Sequence, residues 1–272
     1  MFPTVFIDES QVIYVEDCAL ISKINSSTNF NKFTYCSHNI AHNSLDVELD
    51  IVSYDGCKCG VLSCNPALCP CLLRFGENYN EDNTILMKQT PVFECNSVCL
   101  CGDACVNRKV QHGLKLPLLI FHCGANKVLG LKTLKPLKKG EFVCEYAGEV
   151  ISTEEARMRT TQQKGMNYII TVMEHSIHDK TVTIIDPKDT GNIGRFINHS
   201  CSPNLVMIPV RCDSEVPMLA LFTQKDIAAN EELTFHYNGS GDKDSIGVKS
   251  MKKCFCKSDN CKGFLPFNEE LF

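Results

Sequence analysis

Asparagine, histidine and cysteine stand together at Asn198-His199-Ser200-Cys201, behind the run Gly191-Asn192-Ile193-Gly194-Arg195-Phe196-Ile197 and ahead of Ser202-Pro203-Asn204. An amide and an imidazole supply donors and acceptors enough to fix a polar small molecule, and a thiol beside them is a metal ligand in waiting. A second stretch, Glu232-Leu233-Thr234-Phe235-His236-Tyr237, adds two aromatic rings, one carrying a hydroxyl. Any one of these residues alone reads as a helix end, a buried thiol or a core ring. Together they ask for a chemical explanation.

Pro203 disfavours helical geometry in the residue before it. The first stretch is therefore expected to form one or two helical turns that stop at Asn198-His199, presenting both side chains and Cys201 at the end of an element.

Eighteen cysteines fall mostly into clusters: Cys57, Cys59, Cys64, Cys69 and Cys71; Cys95, Cys99, Cys101 and Cys105; and Cys254, Cys256 and Cys261. Without a secretory signal such clusters point to metal rather than disulfides. The nine cysteines of the first two clusters suit three tetrahedral zincs, with six terminal and three shared sulfurs filling the ligand positions. A disulfide framework fits poorly, because nine is odd and Cys-x-Cys neighbours bridge each other badly. Neither helical nor strand periodicity runs through this segment, so metal must hold it. The third cluster supplies three ligands of a tetrahedral site and lacks a fourth.

The 272 residues, 44% of them hydrophobic, are enough for a large core, and the net charge of -5 disfavours a dedicated nucleic-acid surface while suiting a basic peptide partner. No apolar run approaches the ~18 residues of a membrane span, and the start lacks a signal peptide's basic flank and cleavage site, so a soluble intracellular protein is expected. Residues 1–54 carry no recognisable chemistry and are expected to lie as extended chain over later parts, with Cys18 and Cys36 as ordinary buried thiols. From Lys115 onward, β-type runs at 118–121, 129–133, 141–146, 168–172, 181–185, 205–210 and 218–222 alternate with turn signals, predicting a mainly β domain of several small curled sheets. One helix is expected near 152–159, with Ser152 as N-cap and Glu155 in capping-box position.

The run Arg195-Phe196-x-Asn198-His199-Ser200-Cys201 and the run Glu232-Leu233-x-Phe235-x-Tyr237 resemble the two signatures of SET-domain lysine methyltransferases. The cysteine-rich stretch and its exit at Cys105-Val106-Asn107-Arg108 resemble that family's pre-SET module. The resemblance extends over residues 55–267. It implies a SET-domain fold in which the segments around Asn198 and Tyr237 meet in a pseudoknot-like crossing, flanked by cysteine-rich zinc modules. The implied division is an N-terminal segment over 1–54, a pre-SET zinc-cluster module over 55–113, a SET catalytic domain over 114–239, a linker over 240–249 and a post-SET zinc module over 250–267.

The activity so implied is transfer of methyl groups from S-adenosylmethionine to a lysine of histone H3. The implied setting is chromatin, in the nucleus and on the chromosome, with no membrane and no strong direct nucleic-acid surface. By resemblance the lysine channel comprises Tyr146, from Glu145-Tyr146-Ala147-Gly148-Glu149, with Tyr168, Phe235 and Tyr237, the Tyr237 hydroxyl lying nearest the transferred methyl. S-adenosylmethionine would rest on Lys127, Leu129, Tyr168, Arg195, Asn198 and His199, with Leu265 in an apolar wall. Cys201 would complete the site of Cys254, Cys256 and Cys261, making about four zincs in all. Two departures stand out: Lys127-Val128-Leu129-Gly130 replaces the usual Lys-Gly-Trp-Gly, and His236 replaces the usual Asp, which is expected to weaken a pairing with Arg195. The alternative reading is a catalytically weak or inactive histone-tail-binding module that keeps the fold.

Overall fold

Short runs of valine, isoleucine, leucine and threonine become strands, because branched and apolar side chains pack well on a pleated, half-buried surface. In the computed structural model, residues 5–7, 33–45, 49, 52–60, 64–87, 91–124, 129–162, 167–175, 180–238 and 252–266 are described. Cys18, Lys127, Val128 and the expected linker at 240–249 lie outside the described residues. No helix among the described residues is long and apolar enough to cross a membrane.

Three small sheets form among the described residues. The first has the order β1 (Val5–Ile7), β5 (Leu118–His122), β6 (Leu129–Thr133), β14 (Glu232–Phe235) and β11 (Asn198–His199). The second runs β2 (Thr34–Tyr35), β10 (Lys180–Gly191), β8 (Gly148–Val150) and β3 (Ile40–Ala41), with β9 (Ile170–His175) also paired to β10. The third is β4 (Val92–Phe93), β12 (Leu205–Arg211), β13 (Met218–Thr223) and β7 (Phe142–Glu145). Leu118, Leu131, Ile185, Ile197, Leu205, Leu219, Leu221 and Leu233 are fully buried where the sheets meet. Each such side chain contributes about 1.5–3 kcal/mol relative to exposure.

A first helix, α1 (Pro70–Phe75), was not expected. Proline at its first position suits a helix start, and Cys71 inside it belongs to the cysteine cluster. The expected helix forms as α2 (Thr153–Gln162), and Ser152 Oγ accepts the Glu155 backbone N–H at 3.1 Å. Only half of the capping box is made. The Glu155 carboxylate turns to Arg159 Nε at 2.7 Å, and the Ser152 N–H donates to Ser44 Oγ. Arg159 also reaches Glu149 at 2.7 Å and Asp186 at 2.9 Å, tying the helix to β8 and β10.

The Asn-His segment is not the end of a helix. A 3₁₀ turn closes at Phe196, Ile197 is extended at φ -76°, ψ 120°, and Asn198-His199 form β11. That strand pairs in parallel with β14, Asn198 opposite Thr234 and His199 opposite Phe235. Strand pairing with a segment distant in sequence overrides the local helical preference. Asn204 pins the same crossing, accepting the Thr234 N–H and donating to the Glu232 carbonyl, each at 2.8 Å.

Candidate active site and metal centres

Four aromatic residues gather beside this crossing. Tyr146 follows β7 and is buried, and its hydroxyl donates to the Tyr168 carbonyl oxygen at 2.6 Å. Phe235 ends β14, 1% exposed, with its ring 5.8 Å from that of Tyr146 and 5.0 Å from that of Tyr237. The Tyr237 hydroxyl donates to the Ile197 carbonyl oxygen. Burial pushes both the Tyr146 and Tyr237 phenols well above the ordinary tyrosine range, so both stay neutral at any physiological pH.

Gly148 of the Tyr146 segment has a steric origin. Pro187 of β10 crosses so closely that a Cβ at position 148 would lie 2.7 Å from its nitrogen and Cα.

The polar side follows the strand. The Asn198 amide donates to the Leu129 carbonyl oxygen at 2.8 Å and to Glu232 Oε1 at 2.9 Å, so the Asn198 side chain braces β6 against β14. Leu129 makes its contact through backbone, which any residue provides. Gly130 next to it leaves room for the Asn198 amide, since a Cβ there would stand 2.9 Å from Asn198 Nδ2 and 2.5 Å from Cys123 Sγ and would force these side chains to shift. His199 is buried, and its Nδ1 accepts the Tyr237 backbone N–H at 3.3 Å. That acceptor role leaves the ring proton on Nε2, 3.4 Å from Cys201 Sγ.

Arg195 is not held by an acid at position 236. Its guanidinium lies 4.3 Å from the Phe33 ring centroid, 4.7 Å from Tyr168 and 5.5 Å from Phe196. His236 instead packs edge-on to His199, with the ring centroids 4.8 Å apart. The Nε of Arg195 is buried and has no hydrogen-bond partner among the described residues. An anionic ligand group, such as the carboxylate of S-adenosylmethionine, suits that orphaned donor.

The cysteines cluster by sulfur geometry. Cys57, Cys59, Cys64 and Cys69 form one set of four within 4.8 Å of one another, and Cys64, Cys95, Cys101 and Cys105 form another. Cys57 and Cys95 lie within that distance of both Cys71 and Cys99, which are 3.8 Å apart and complete a third set. The sulfurs common to two sets are Cys57, Cys64 and Cys95, with Cys57 to Cys64 and Cys64 to Cys95 each 3.6 Å. Three tetrahedral ions sharing three bridging thiolates fit this arrangement, and all the described cysteines are free of disulfides. Cys201, Cys254, Cys256 and Cys261 form a separate four-sulfur set. Lys262 N–H donates to Cys201 Sγ at 3.4 Å, and the Leu265 N–H closes a hairpin on the Lys252 carbonyl at 2.8 Å, so Leu265 is tied to the site through the Cys201 cluster. A polar cleft of about 460 Å³ opens on the zinc side, lined by residues including Ser200, Asn204, Glu232 and Cys256, with none of the four aromatic residues in its wall.

Sequence reasoning passed over Glu232, Cys123, Phe33 and His38. Glu232 lay inside a motif already singled out. Phe33 and His38 sit in a segment without periodicity, and only tertiary contact reveals them.

Models of known families match twice: a SET domain over residues 128–238 and a pre-SET motif over residues 11–108. Histone-lysine N-methyltransferase SETMAR from Homo sapiens is 43% identical over 258 residues, covering 88% of this chain and 37% of that protein. The Rattus norvegicus protein of that name is also 43% identical, with 88% of this chain and 81% of that protein covered. Among solved structures, the methyltransferase domain of human SETMAR has a TM-score of 0.79 at 42% identity, covering 89% of this chain and 92% of that one. Arabidopsis thaliana SUVH6 in complex with SAM gives 0.73 at 29%, covering 95% and 54%. KRYPTONITE in complex with mCHH DNA, H3(1-15) peptide and SAH gives 0.70 at 28%, covering 92% and 50%.

Proposed function

The chain belongs to the SET-domain family of histone-lysine N-methyltransferases, and from that membership we propose that it methylates a lysine of histone H3 with S-adenosylmethionine as donor. The observation that carries the reading is the aromatic group of Tyr146, Phe235 and Tyr237 set against β11, with the guanidinium of Arg195 stacked on Tyr168 beside it.

S-adenosylmethionine, when bound, supplies an activated methyl group. The protein's part is to bring a neutral amine into line with it. A free lysine has a pKa of about 10.4, and withholding water from its ammonium lowers that value. Buried rings at Tyr146 and Phe235 suit this task. The neutral phenol of Tyr237 would present an oxygen lone pair to the donor's methyl, and its bond to Ile197 fixes where that oxygen stands. Holding the two partners in line contributes on the order of 7–11 kcal/mol for well-oriented groups.

Arg195, His199 and the backbone around Asn198, Leu129 and Tyr168 are assigned to the donor, together with Lys127 and an apolar wall from Leu265. Zinc is assigned to the nine-cysteine module and to Cys201 with the tail cysteines. The working division is a pre-SET module over 55–113, a catalytic domain over 114–239 and a post-SET module over 250–267. The H3 peptide in the KRYPTONITE complex supports a histone tail as substrate. A histone substrate would be met on chromatin, in the nucleus.

Calorimetric titration of S-adenosylmethionine into the zinc-loaded chain tests the reading. Saturable binding at one site is expected. Absence of binding to a folded, zinc-loaded chain would overturn it.

A further inference from the structure

Residues 33–45 run along both segments that carry the site. Thr34 and Tyr35 pair in parallel with Thr190 and Gly191, and the Cys36 N–H donates to the Gly191 carbonyl at 2.9 Å. Further on, His38 Nδ1 lies 2.9 Å from Glu145 Oε2, the residue before Tyr146, and Asn39 Oδ1 accepts the Gly148 N–H at 3.2 Å. Ile40 and Ala41 then pair with Glu149 and Val150, and the His42 N–H donates to the Val150 carbonyl at 3.0 Å. The start of this strap is anchored by Phe33, itself buried, whose ring meets that of Phe196 edge-on at 6.0 Å and lies under the Arg195 guanidinium at 4.3 Å.

Arg195 is thus a buried cation held on π faces, with its Nε unpartnered and no carboxylate ion-paired to it among the described residues. A carboxylate paired to it would offset the charge and take up to two of the five N–H donors. Aromatic faces attract it through the ring quadrupole and leave its Nε–H without a partner among the described residues. The arrangement keeps a desolvated cation available to an anion.

We propose that Phe33 is a positioning residue for the donor site: by stacking on Arg195 it holds the guanidinium ready for the carboxylate of the S-adenosyl ligand. The strap 33–45 is then a working part of that site, although it precedes the cysteine-rich module. This rests on the reading of Arg195 as a donor-site residue.

The test compares the full chain with its Phe33→Leu and Phe33→Tyr variants, each zinc-loaded and checked by thermal melting. Binding of S-adenosylhomocysteine is measured by calorimetry, and S-adenosylmethionine is compared with its decarboxylated form. Phe33→Leu is expected to bind S-adenosylhomocysteine about tenfold more weakly, equivalent to about 1.4 kcal/mol. It should also lose most of the parent's preference for the carboxylated ligand, while Phe33→Tyr, which keeps the π face, restores both. A folded Phe33→Leu with parental affinity and preference overturns the role of Phe33 and leaves the methyltransferase reading intact. So does an equal fall for both ligands, the mark of a merely structural role. A parent chain that binds no S-adenosyl ligand overturns the reading beneath it as well.

Discussion

The phenol of Tyr237 donates a hydrogen bond to the carbonyl oxygen of Ile197 at 3.2 Å, joining a residue just past β14 to the residue before β11. Tyr237→Phe deletes that hydroxyl and keeps the ring. Turnover is expected to fall on the order of a hundredfold, as for loss of one preorganised polar group in a dry site. Stability should change by about 0.5–1.5 kcal/mol at most. Single-turnover methylation and a denaturant melt, run side by side, separate the two effects.

Phe235 packs between Tyr146 and Tyr237, and if the proposed lysine channel runs past it, it has no hydroxyl with which to hold a water there. The parent chain is therefore expected to reach the dimethyl or trimethyl state. Phe235→Tyr should shift product toward monomethyl by roughly three- to tenfold, the equivalent of one hydrogen-bonded water. Mass spectrometry of reactions run to completion reads the distribution; an identical distribution in the variant would make Phe235 a core ring only.

Elemental analysis of the native chain is expected to find about four zincs, three in the nine-cysteine module and one at Cys201, Cys254, Cys256 and Cys261. Because Cys57, Cys64 and Cys95 each belong to two sets, replacing any of them with serine should release more metal than replacing Cys59 or Cys105. Equal losses from all five variants would contradict the shared-thiolate arrangement.

Gly130 has no room for a side chain, with Asn198 Nδ2 and Cys123 Sγ both inside the reach of a Cβ. Gly130→Ala should displace the Asn198 amide from the Leu129 carbonyl and raise KM for S-adenosylmethionine more than KM for the peptide. Steady-state kinetics with each substrate varied in turn checks the split.

His38 and Glu145 make the strap's attachment sensitive to pH. The hydrogen bond to Glu145 raises His38 above its ordinary value of 6.5, and burial raises Glu145 above 4.5. Each group, in its own pH range, keeps its proton in the folded chain where the unfolded chain has released it, so stability falls as pH rises through each range. The His38 contribution is complete below 6.5 and is lost as pH climbs through the raised value. Melting temperatures across that range should decline in the parent, and His38→Ala should flatten the part above 6.5.

What the chain discloses on paper follows the range of its physical signals. Cysteine spacing marked the sulfurs that the structure gathers into four-membered sets, because thiolates at short intervals have few other uses in such a segment. Branched runs marked β5, β6, β9, β10, β12 and β13, because local patterning and local structure agree there. Asn198-His199 read as a helix end, since their true partner, Thr234-Phe235, stands far along the chain and no local period betrays a parallel crossing. For the same reason Phe33 was invisible beside Arg195: one aromatic residue in an unpatterned segment gains meaning only from the cation above it. The departure at His236 drew attention to Arg195 and to a weakened pairing there, yet that guanidinium lies on aromatic rings that the motif does not contain or name as its partners.

Methyl transfer to a histone lysine is read out by mass spectrometry of an H3 tail peptide incubated with the zinc-loaded chain and isotopically labelled S-adenosylmethionine. Labelled methyl groups are expected on a single lysine, with the signal sharply reduced for Tyr237→Phe. A folded, zinc-loaded, donor-binding chain that leaves every lysine of the peptide unmodified, or a Tyr237→Phe variant as active as the parent, would contradict it.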